Sequence, residues 1–401
     1  MPSSLSIKLK EDVGISRGYA DPVGSRLVVI VAGEASADLH GSNLVRAMKE
    51  SDPNLRFLGI GGKLMAQAGV GILVPSCEMA VVGLTEVVSR SWTILRAYLR
   101  LRSIIKNSDP SLVILLDYPD FNISLARSAK QSRVPVLYYI SPQVWAWRKG
   151  RVKKLASRVD RMAVILPFEE GFYREKGMKV EYVGHPVLDA IPEGLVKEEI
   201  TVQWNLQEGS PIIGLLPGSR REEVVNLLPA MLDAAAILKD RYPNLVCLLP
   251  RASTIPPELI ASMVESSPVR IQATDGDIYR VLRVCDLALV ASGTATLETA
   301  VMGVPMIILY RVSPFSYWAA RALVRVPYIG LVNWVAGRKV VTELIQKEVT
   351  PENISREALL LLAPGSEREV MIGSLKEVSE KLRKGASRRT AQIALEMMHR
   401  E

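Results

Sequence analysis

Four strand-to-helix turns in this chain carry residues whose types and spacing suit chemistry on a phosphorylated ligand. The first, Ala32-Gly33-Glu34-Ala35-Ser36-Ala37-Asp38, follows the apolar run LVVIVA. Glycine and small residues let the backbone turn sharply and bare its amides at a helix N-terminus, where an anion binds. The spacing is not GxGxxG, so a dinucleotide site is not expected, and a plain turn capped by Ser36 or Asp38 fits equally well. The second, Leu215-Leu216-Pro217-Gly218-Ser219-Arg220-Arg221-Glu222, has capping-box spacing between Ser219 and Glu222. Its arginines stand at the positive end of the helix dipole, where acids would serve stability better, so Arg220 with the Gly218 and Ser219 amides reads as a diphosphate grip in preference to the alternative, a capped helix with surface arginines. The third, Ala291-Ser292-Gly293-Thr294-Ala295-Thr296-Leu297-Glu298, offers amides and hydroxyls to phosphate. Glu298 there is either an acceptor for a ribose diol or a first-turn acid. The fourth, Leu116-Asp117-Tyr118-Pro119-Asp120-Phe121-Asn122, sets Asp117 at the carboxyl end of a buried strand. A partly desolvated carboxylate in that place can act as a general base. Asp120, just before the next helical run, is the better cap.

Other motifs carry less. Asp275-Gly276-Asp277 has the DxD spacing of metal-dependent sugar transfer but directly precedes a helical run, so capping explains it and no metal is expected. His40, His185 and His399 are too scattered for zinc; His185 reads as structural. Two tryptophans, Trp145 and Trp147, stand near Arg148, Lys149, Arg151, Lys153 and Lys154. They suit sugar stacking or an acidic surface, or a core aromatic pair beside a solvated basic face. Along the helical segment Trp92–Lys106, Ile94, Tyr98, Leu101, Ile104 and Ile105 share one arc and should be core. The other arc mixes Trp92, Leu95 and Leu99 with Arg96, Arg100, Arg102 and Lys106, a composition that suits an anionic lipid surface or another subunit. The stretch Phe315–Arg325 has similar character.

The elements that must position these turns are legible. Leu27–Ala32, Leu55–Ile60, Leu112–Leu116, Val134–Ile140 and Met162–Leu166 read as buried strands, with a helix over about Ser36–Glu50. The alternation restarts at Pro211–Leu216 and continues through Leu245–Leu249, Val269–Ala273, Leu287–Ala291 and Val304–Leu309. Unbroken Val/Ile/Leu runs suit parallel sheets covered on both faces. The expected fold is α/β, with two Rossmann-like doubly wound domains facing a cleft. The expected divisions are a polar extension at 1–25, an N-terminal domain at 26–190, a second domain at 191–364 and a helical tail at 365–401.

Composition narrows the class. The chain has 401 residues, 48% apolar and 23% charged, an ordinary globular balance that excludes disorder as the main state. Lys+Arg less Asp+Glu is 50 − 42 = +8, which favours anionic partners. No nucleic-acid reader motif is present. Cys77, Cys247 and Cys285 lie far apart and form no CxxC pair, which fits a reducing, cytoplasmic compartment. The residues at 1–25 lack the apolar run of a signal peptide, and the most apolar stretch, Leu287–Tyr310, is broken by Gly293, Glu298, Gly303 and Pro305.

Taken together, GEASAD at 33–38, LDYPDFN at 116–122, ISPQVWAWR at 140–148, LPFE at 166–169, VGHP at 183–186, LLPGSR at 215–220, ASGTATLE at 291–298 and the Asn333…Ala336-Gly337-Arg338 stretch resemble the lipid-A-disaccharide synthase family. The match runs from about Leu27 to Glu348, although Ala35 and Ala37 stand where the family has Pro and Gly. The resemblance implies a GT-B glycosyltransferase that works with inversion and without metal or cofactor. It implies transfer of 2,3-diacylglucosamine from its UDP derivative to 2,3-diacylglucosamine 1-phosphate (lipid X), giving UDP and the β(1→6) lipid A disaccharide 1-phosphate. It also implies a cytoplasmic protein associated peripherally with the inner membrane and, for some members, pairing through C-terminal segments. Asp117 is the expected base and Arg220 the expected stabiliser of the leaving diphosphate. Gly33, Glu34, Ser36, Asp38, Gly218, Ser219, Ser292, Gly293, Thr294 and Glu298 are expected at the substrates, with Asn333 and Gln346 lining the nucleotide pocket. The competing expectations are another UDP-sugar transferase or a 2-epimerase on the same architecture, and a non-catalytic, membrane-docked nucleotide-binding protein.

Overall fold

A computed structural model describes residues 26–79, 84–142, 144, 150–207, 209–313 and 327–399. The extension at 1–25, Gln143 with Trp145–Lys149, and the Phe315–Arg325 stretch lie outside the described residues. The chain divides into two compact units, residues 1–139 with 391–401, and residues 140–390.

In the first unit the strands are β1 (Arg26–Ala32), β2 (Leu55–Gly61), β3 (Val70–Pro75), β4 (Leu112–Leu116) and β5 (Val136–Tyr139), in the order β3-β2-β1-β4-β5. All pairings are parallel, with Ala32 opposite Leu116 where β1 meets β4. Val28–Ala32 and Leu112–Leu116 are fully buried, as strands covered by helices on both faces must be. The helices Ala35–Ser51, Leu84–Asn107 and Pro119–Gln131 make the main crossovers.

In the second unit β6 (Arg161–Val164) and β7 (Val180–Tyr182) pair in parallel. A six-stranded sheet follows, built from β8 (Ile212–Leu216), β9 (Val246–Arg251), β10 (Arg270–Asp275), β11 (Leu287–Ala291), β12 (Met306–Tyr310) and β13 (Thr342–Ile345). Its order is β10-β9-β8-β11-β12-β13, again all parallel, with Leu216 opposite Val290. In both units the order reverses once, between β1 and β4 and between β8 and β11. In open parallel sheets that reversal leaves a crevice outside the carboxyl ends of the strands, where ligands bind. All four chemistry-bearing turns sit at these two places. The tail consists of the helices Ser366–Lys381 and Ala386–Met398.

Candidate active site

The first unit brings the Gly33 turn and Asp117 together at neighbouring strand ends. Asp117 and Tyr118 both take left-handed backbone, with φ 45° and 43°. Two successive non-glycine residues there cost about 1–3 kcal/mol each and persist only when their surroundings hold them. Here Asn122, fully buried, donates from Nδ2 to the Leu116 carbonyl at 3.0 Å and the Asp117 carbonyl at 2.7 Å, and the Tyr138 hydroxyl donates to the Asp117 carbonyl as well. The Tyr118 hydroxyl donates to the Met79 carbonyl at 3.0 Å. Its ring lies where a Cβ on Gly33 would be, 2.6 Å from Tyr118 Cγ, so only glycine fits. Burial raises the Tyr118 pKa, and the charges of Glu34 and Asp120 add to it, which places Glu34 beside this turn.

The other first-unit expectations are redistributed. Asp38 is 6% exposed, and its carboxylate accepts the N–H groups of Gly62, Leu64 and Met65 at 2.7–3.1 Å. It thus caps the helix Lys63–Gln67 rather than its own helix. The N-cap of the helix Ala35–Ser51 is Glu34, so neither Ser36 nor Asp38 serves there. Asp120 is not a cap either: Pro119, having no N–H to satisfy, opens that helix and Tyr118 is its N-cap.

In the second unit the register of β8 against β11 places the Gly218–Arg220 turn beside Ser292–Thr294. The helix starts one residue later than its spacing suggests. Its N-cap is Arg220, and Glu223 rather than Glu222 reaches back, accepting the Ser219 N–H at 3.0 Å and the Arg220 N–H at 3.1 Å. Gly218 at φ 111° allows this, since a Cβ would meet Glu223 Oε2 at 2.2 Å. The Ser219 amide is therefore engaged by a carboxylate of the chain itself. Thr254 ties the turn from the other side, its hydroxyl donating to the Ser219 carbonyl at 2.6 Å. The Arg220 guanidinium is 68% exposed and 3.7 Å from Glu223. Tyr310, at the end of β12, faces this cluster: burial and Glu223 raise its pKa, and Arg220 opposes them.

At the β11 turn the Ser292 N–H goes to the Leu309 carbonyl and its hydroxyl to the Ile329 carbonyl. Open space surrounds Gly293, where an added Cβ would meet nothing within 4 Å. Burial raises the Glu298 pKa, and a hydrogen bond from Tyr279 partly opposes the rise.

Asn333 and Gln346 are tied to the scaffold. Asn333 is fully buried; its Nδ2 donates to the Val341 carbonyl and Glu343, and its Oδ1 accepts the N–H groups of Val340 and Val341. Gln346 bonds the Val312 N–H and carbonyl through its amide. Asp275 pairs with Arg251, and Asp277 stands 3.4 Å from Arg280. Asp277 occupies the N-cap position of the helix Ile278–Val284 but makes no side-chain cap bond, because it is left-handed at φ 58°. Among the described residues no three His, Cys, Asp or Glu side chains form a metal cluster. His185 is buried and accepts the Val187 N–H through Nδ1.

On the helix Leu84–Asn107, Leu101, Ile104 and Ile105 are buried, while Ile94 and Tyr98 are half-buried; Tyr98 bonds Ser128 at 2.9 Å. On the other arc Trp92, Leu95 and Leu99 are 59%, 44% and 49% exposed, and Arg96 stacks over Trp92 at 5.2 Å. Arg100 departs from that arc: it is half-buried and donates to the Leu73 carbonyl at 3.2 Å. Among the described residues no helix is long and apolar enough to cross a membrane.

Sequence reasoning missed Tyr118, Asn122, Tyr138, Glu223, Thr254 and Tyr279 as supports of these turns. Glu223 left a signal as the second of two adjacent glutamates at helix-start spacing, and Tyr118 and Asn122 stand within the LDYPDFN motif.

Comparisons with known proteins agree with this arrangement. A family model described as lipid-A-disaccharide synthetase matches residues 28–397. The lipid-A-disaccharide synthase of Geobacter metallireducens is 48% identical over 375 residues, covering 93% of this chain and 98% of the relative. Among solved structures, the complex of S. aureus MnaA with UDP superposes with a TM-score of 0.62 at 15% identity, covering 94% of this chain and 98% of that one. The calicheamicin glycosyltransferase CalG4 reaches 0.57 at 14% identity, covering 94% and 99%. At those identities the structures speak for the fold alone, which is of the GT-B type. With a family model spanning nearly the whole chain and close relatives aligned end to end, the chain belongs to the lipid-A-disaccharide synthase family of glycosyltransferases.

Proposed function

We propose that this protein transfers 2,3-diacylglucosamine from its UDP derivative to 2,3-diacylglucosamine 1-phosphate, giving UDP and a β(1→6)-linked disaccharide 1-phosphate. The observation that carries the reading is the in-register pairing of β8 with β11, which sets Arg220 and its turn beside the open Gly293 turn. Such a pair of turns suits a nucleoside diphosphate, and Glu298 on the same crossover suits its ribose. Family membership supplies the acylated sugars.

In this reading Asp117 removes the proton from the acceptor 6-hydroxyl as that oxygen attacks the anomeric carbon. The bond from that carbon to the diphosphate oxygen breaks on the opposite face, which inverts the configuration. The negative charge that develops on UDP is met by the Arg220 guanidinium and the Gly293 and Thr294 amides; fixed donors of this kind are each worth about 10²–10³ in rate. Glu223 already holds the Ser219 amide, so that group contributes only if the carboxylate yields. Residues 26–190 would serve the acceptor and 191–364 the donor.

We further assign the exposed face of Trp92, Leu95, Arg96, Leu99 and Arg102 to an anionic lipid surface, since both substrates carry acyl chains. The protein would then work in the cytoplasm, bound peripherally to the inner membrane. A homodimer through the C-terminal helices is compatible with this reading.

The direct test is incubation of the purified protein with both acylated glucosamines and mass analysis of the products. Asp117→Asn should lower turnover about 10²–10⁴-fold while UDP affinity stays within about twofold. Turnover at the wild-type rate removes Asp117 as the base, and UDP release without disaccharide removes the reaction.

A further inference from the structure

Glu298 carries the ribose in the reading above, yet a long acidic side chain recognises a diol only if something holds its carboxylate in place. One side chain does so. The Tyr279 hydroxyl donates to Glu298 Oε1 at 3.1 Å, and among the described residues no other hydrogen bond reaches that carboxylate. The same hydroxyl lies 3.4 Å from the Val187 carbonyl. Having one proton, it serves one acceptor at a time, and the charged carboxylate makes the stronger bond. Tyr279 is itself well anchored. It stands in the first turn of the helix Ile278–Val284, which the buried Val281, Leu282 and Val284 pin to the core.

The arrangement makes little sense as packing alone. Burial raises the Glu298 pKa, so ionising this acid is unfavourable, and no cation pairs with it among the described residues. A tyrosine bonded only to the Val187 carbonyl, beside a neutral residue at 298, would stabilise the fold better. An ionised carboxylate offers about four acceptor positions, and Tyr279 fills one. The remaining capacity lies one helical turn beyond the Gly293 turn and matches two vicinal hydroxyl donors. Burial and the neighbouring carboxylate also push the Tyr279 pKa up, so its hydroxyl remains a donor throughout the working range.

We propose that Tyr279 is a positioning residue for nucleotide recognition, holding the Glu298 carboxylate in the orientation that accepts the vicinal hydroxyls of a ribose. This rests on the assignment of Glu298 to ribose, and the test separates the two.

Binding of UDP and of 2′-deoxy-UDP is measured by calorimetric titration on the full-length wild type, Tyr279→Phe and Glu298→Gln. The wild type should prefer UDP. Tyr279→Phe should shrink that preference about 5–10-fold, the order of one ordinary hydrogen bond, with 2′-deoxy-UDP, which keeps only the 3′-hydroxyl for Glu298, weakened less than UDP. In turnover the same variant should raise KM for the UDP-sugar and leave kcat within about twofold. Glu298→Gln should abolish the preference. If Glu298→Gln loses the preference and Tyr279→Phe keeps it, the positioning role is wrong. If Glu298→Gln keeps the preference, the ribose assignment falls, and the proposal with it. Equal weakening of both nucleotides by Tyr279→Phe, as a loosened fold would give, also overturns the proposal.

Discussion

Gly33→Ala adds one methyl group and strikes the structure that aims Asp117. The new Cβ would lie 2.6 Å from Tyr118 Cγ and 3.0 Å from each Cδ. Carbon pairs sit at about 3.5–4.0 Å, so roughly 1 Å must be found. The ring cannot supply it freely, because its hydroxyl is bonded to the Met79 carbonyl and it packs on Phe121 at 5.7 Å between centroids. The displacement passes into the left-handed pair Asp117 and Tyr118, whose geometry Asn122 and Tyr138 also fix. Moving a reacting group by 1 Å costs about 10² in rate, equivalent to about 2.7 kcal/mol of barrier. Steady-state turnover should therefore show kcat down about 100-fold, with UDP affinity unchanged. Tyr118→Gly offers the control, since glycine tolerates φ 43° and removes the ring that the methyl meets. On that background Gly33→Ala should cost only a few-fold. Wild-type kcat in Gly33→Ala, or an equal penalty in both backgrounds, refutes the account of this turn.

Asp38→Ala leaves three N–H groups without their acceptor and should lower stability by about 3 kcal/mol in denaturant unfolding, with KM little changed. A large rise in KM at wild-type stability would return Asp38 to the substrate site. Glu298 should give opposite pH trends for stability and binding. Its folded pKa is raised above 4.5, so its contribution to stability is full below the unfolded value and is lost as pH rises through the folded one. UDP affinity should instead grow over that rise, as the carboxylate ionises. Glu298→Gln should flatten both curves, and an unchanged pH profile of UDP binding would contradict this. Trp92→Ser with Leu99→Ser should cut co-sedimentation with anionic vesicles at least about tenfold at unchanged Tm; full retention removes the lipid-facing assignment.

Much of the fold was legible because buried parallel strands are written as unbroken apolar runs. Ten of the thirteen described strands overlap segments read from sequence. The three others, β3, β7 and β13, are only partly buried along their length, so they lack the run that marks their neighbours. Helix starts were less legible. Spacing rules identify a helix-start acid but not which of two adjacent glutamates reaches back, and Glu223 took the place expected of Glu222. They also favour a cap local to its own helix, whereas Asp38 found three unpaired amides on another.

The sequence by itself determined the two α/β series, the turns bearing Asp117, Arg220 and Glu298, and, through the order of its motifs, the family. These follow from local backbone preference and from burial, both of which leave a period in the chain. Only the tertiary structure decided which polar groups those turns can still offer. Parallel strands meet through long crossovers, so hydrogen-bond partners lie far apart in sequence. Tyr279 meets Glu298, Thr254 meets Ser219, and Tyr118 presses on Gly33. Asn333 and Asp38 are drawn into the scaffold because a buried polar group must be satisfied wherever the fold presents a partner.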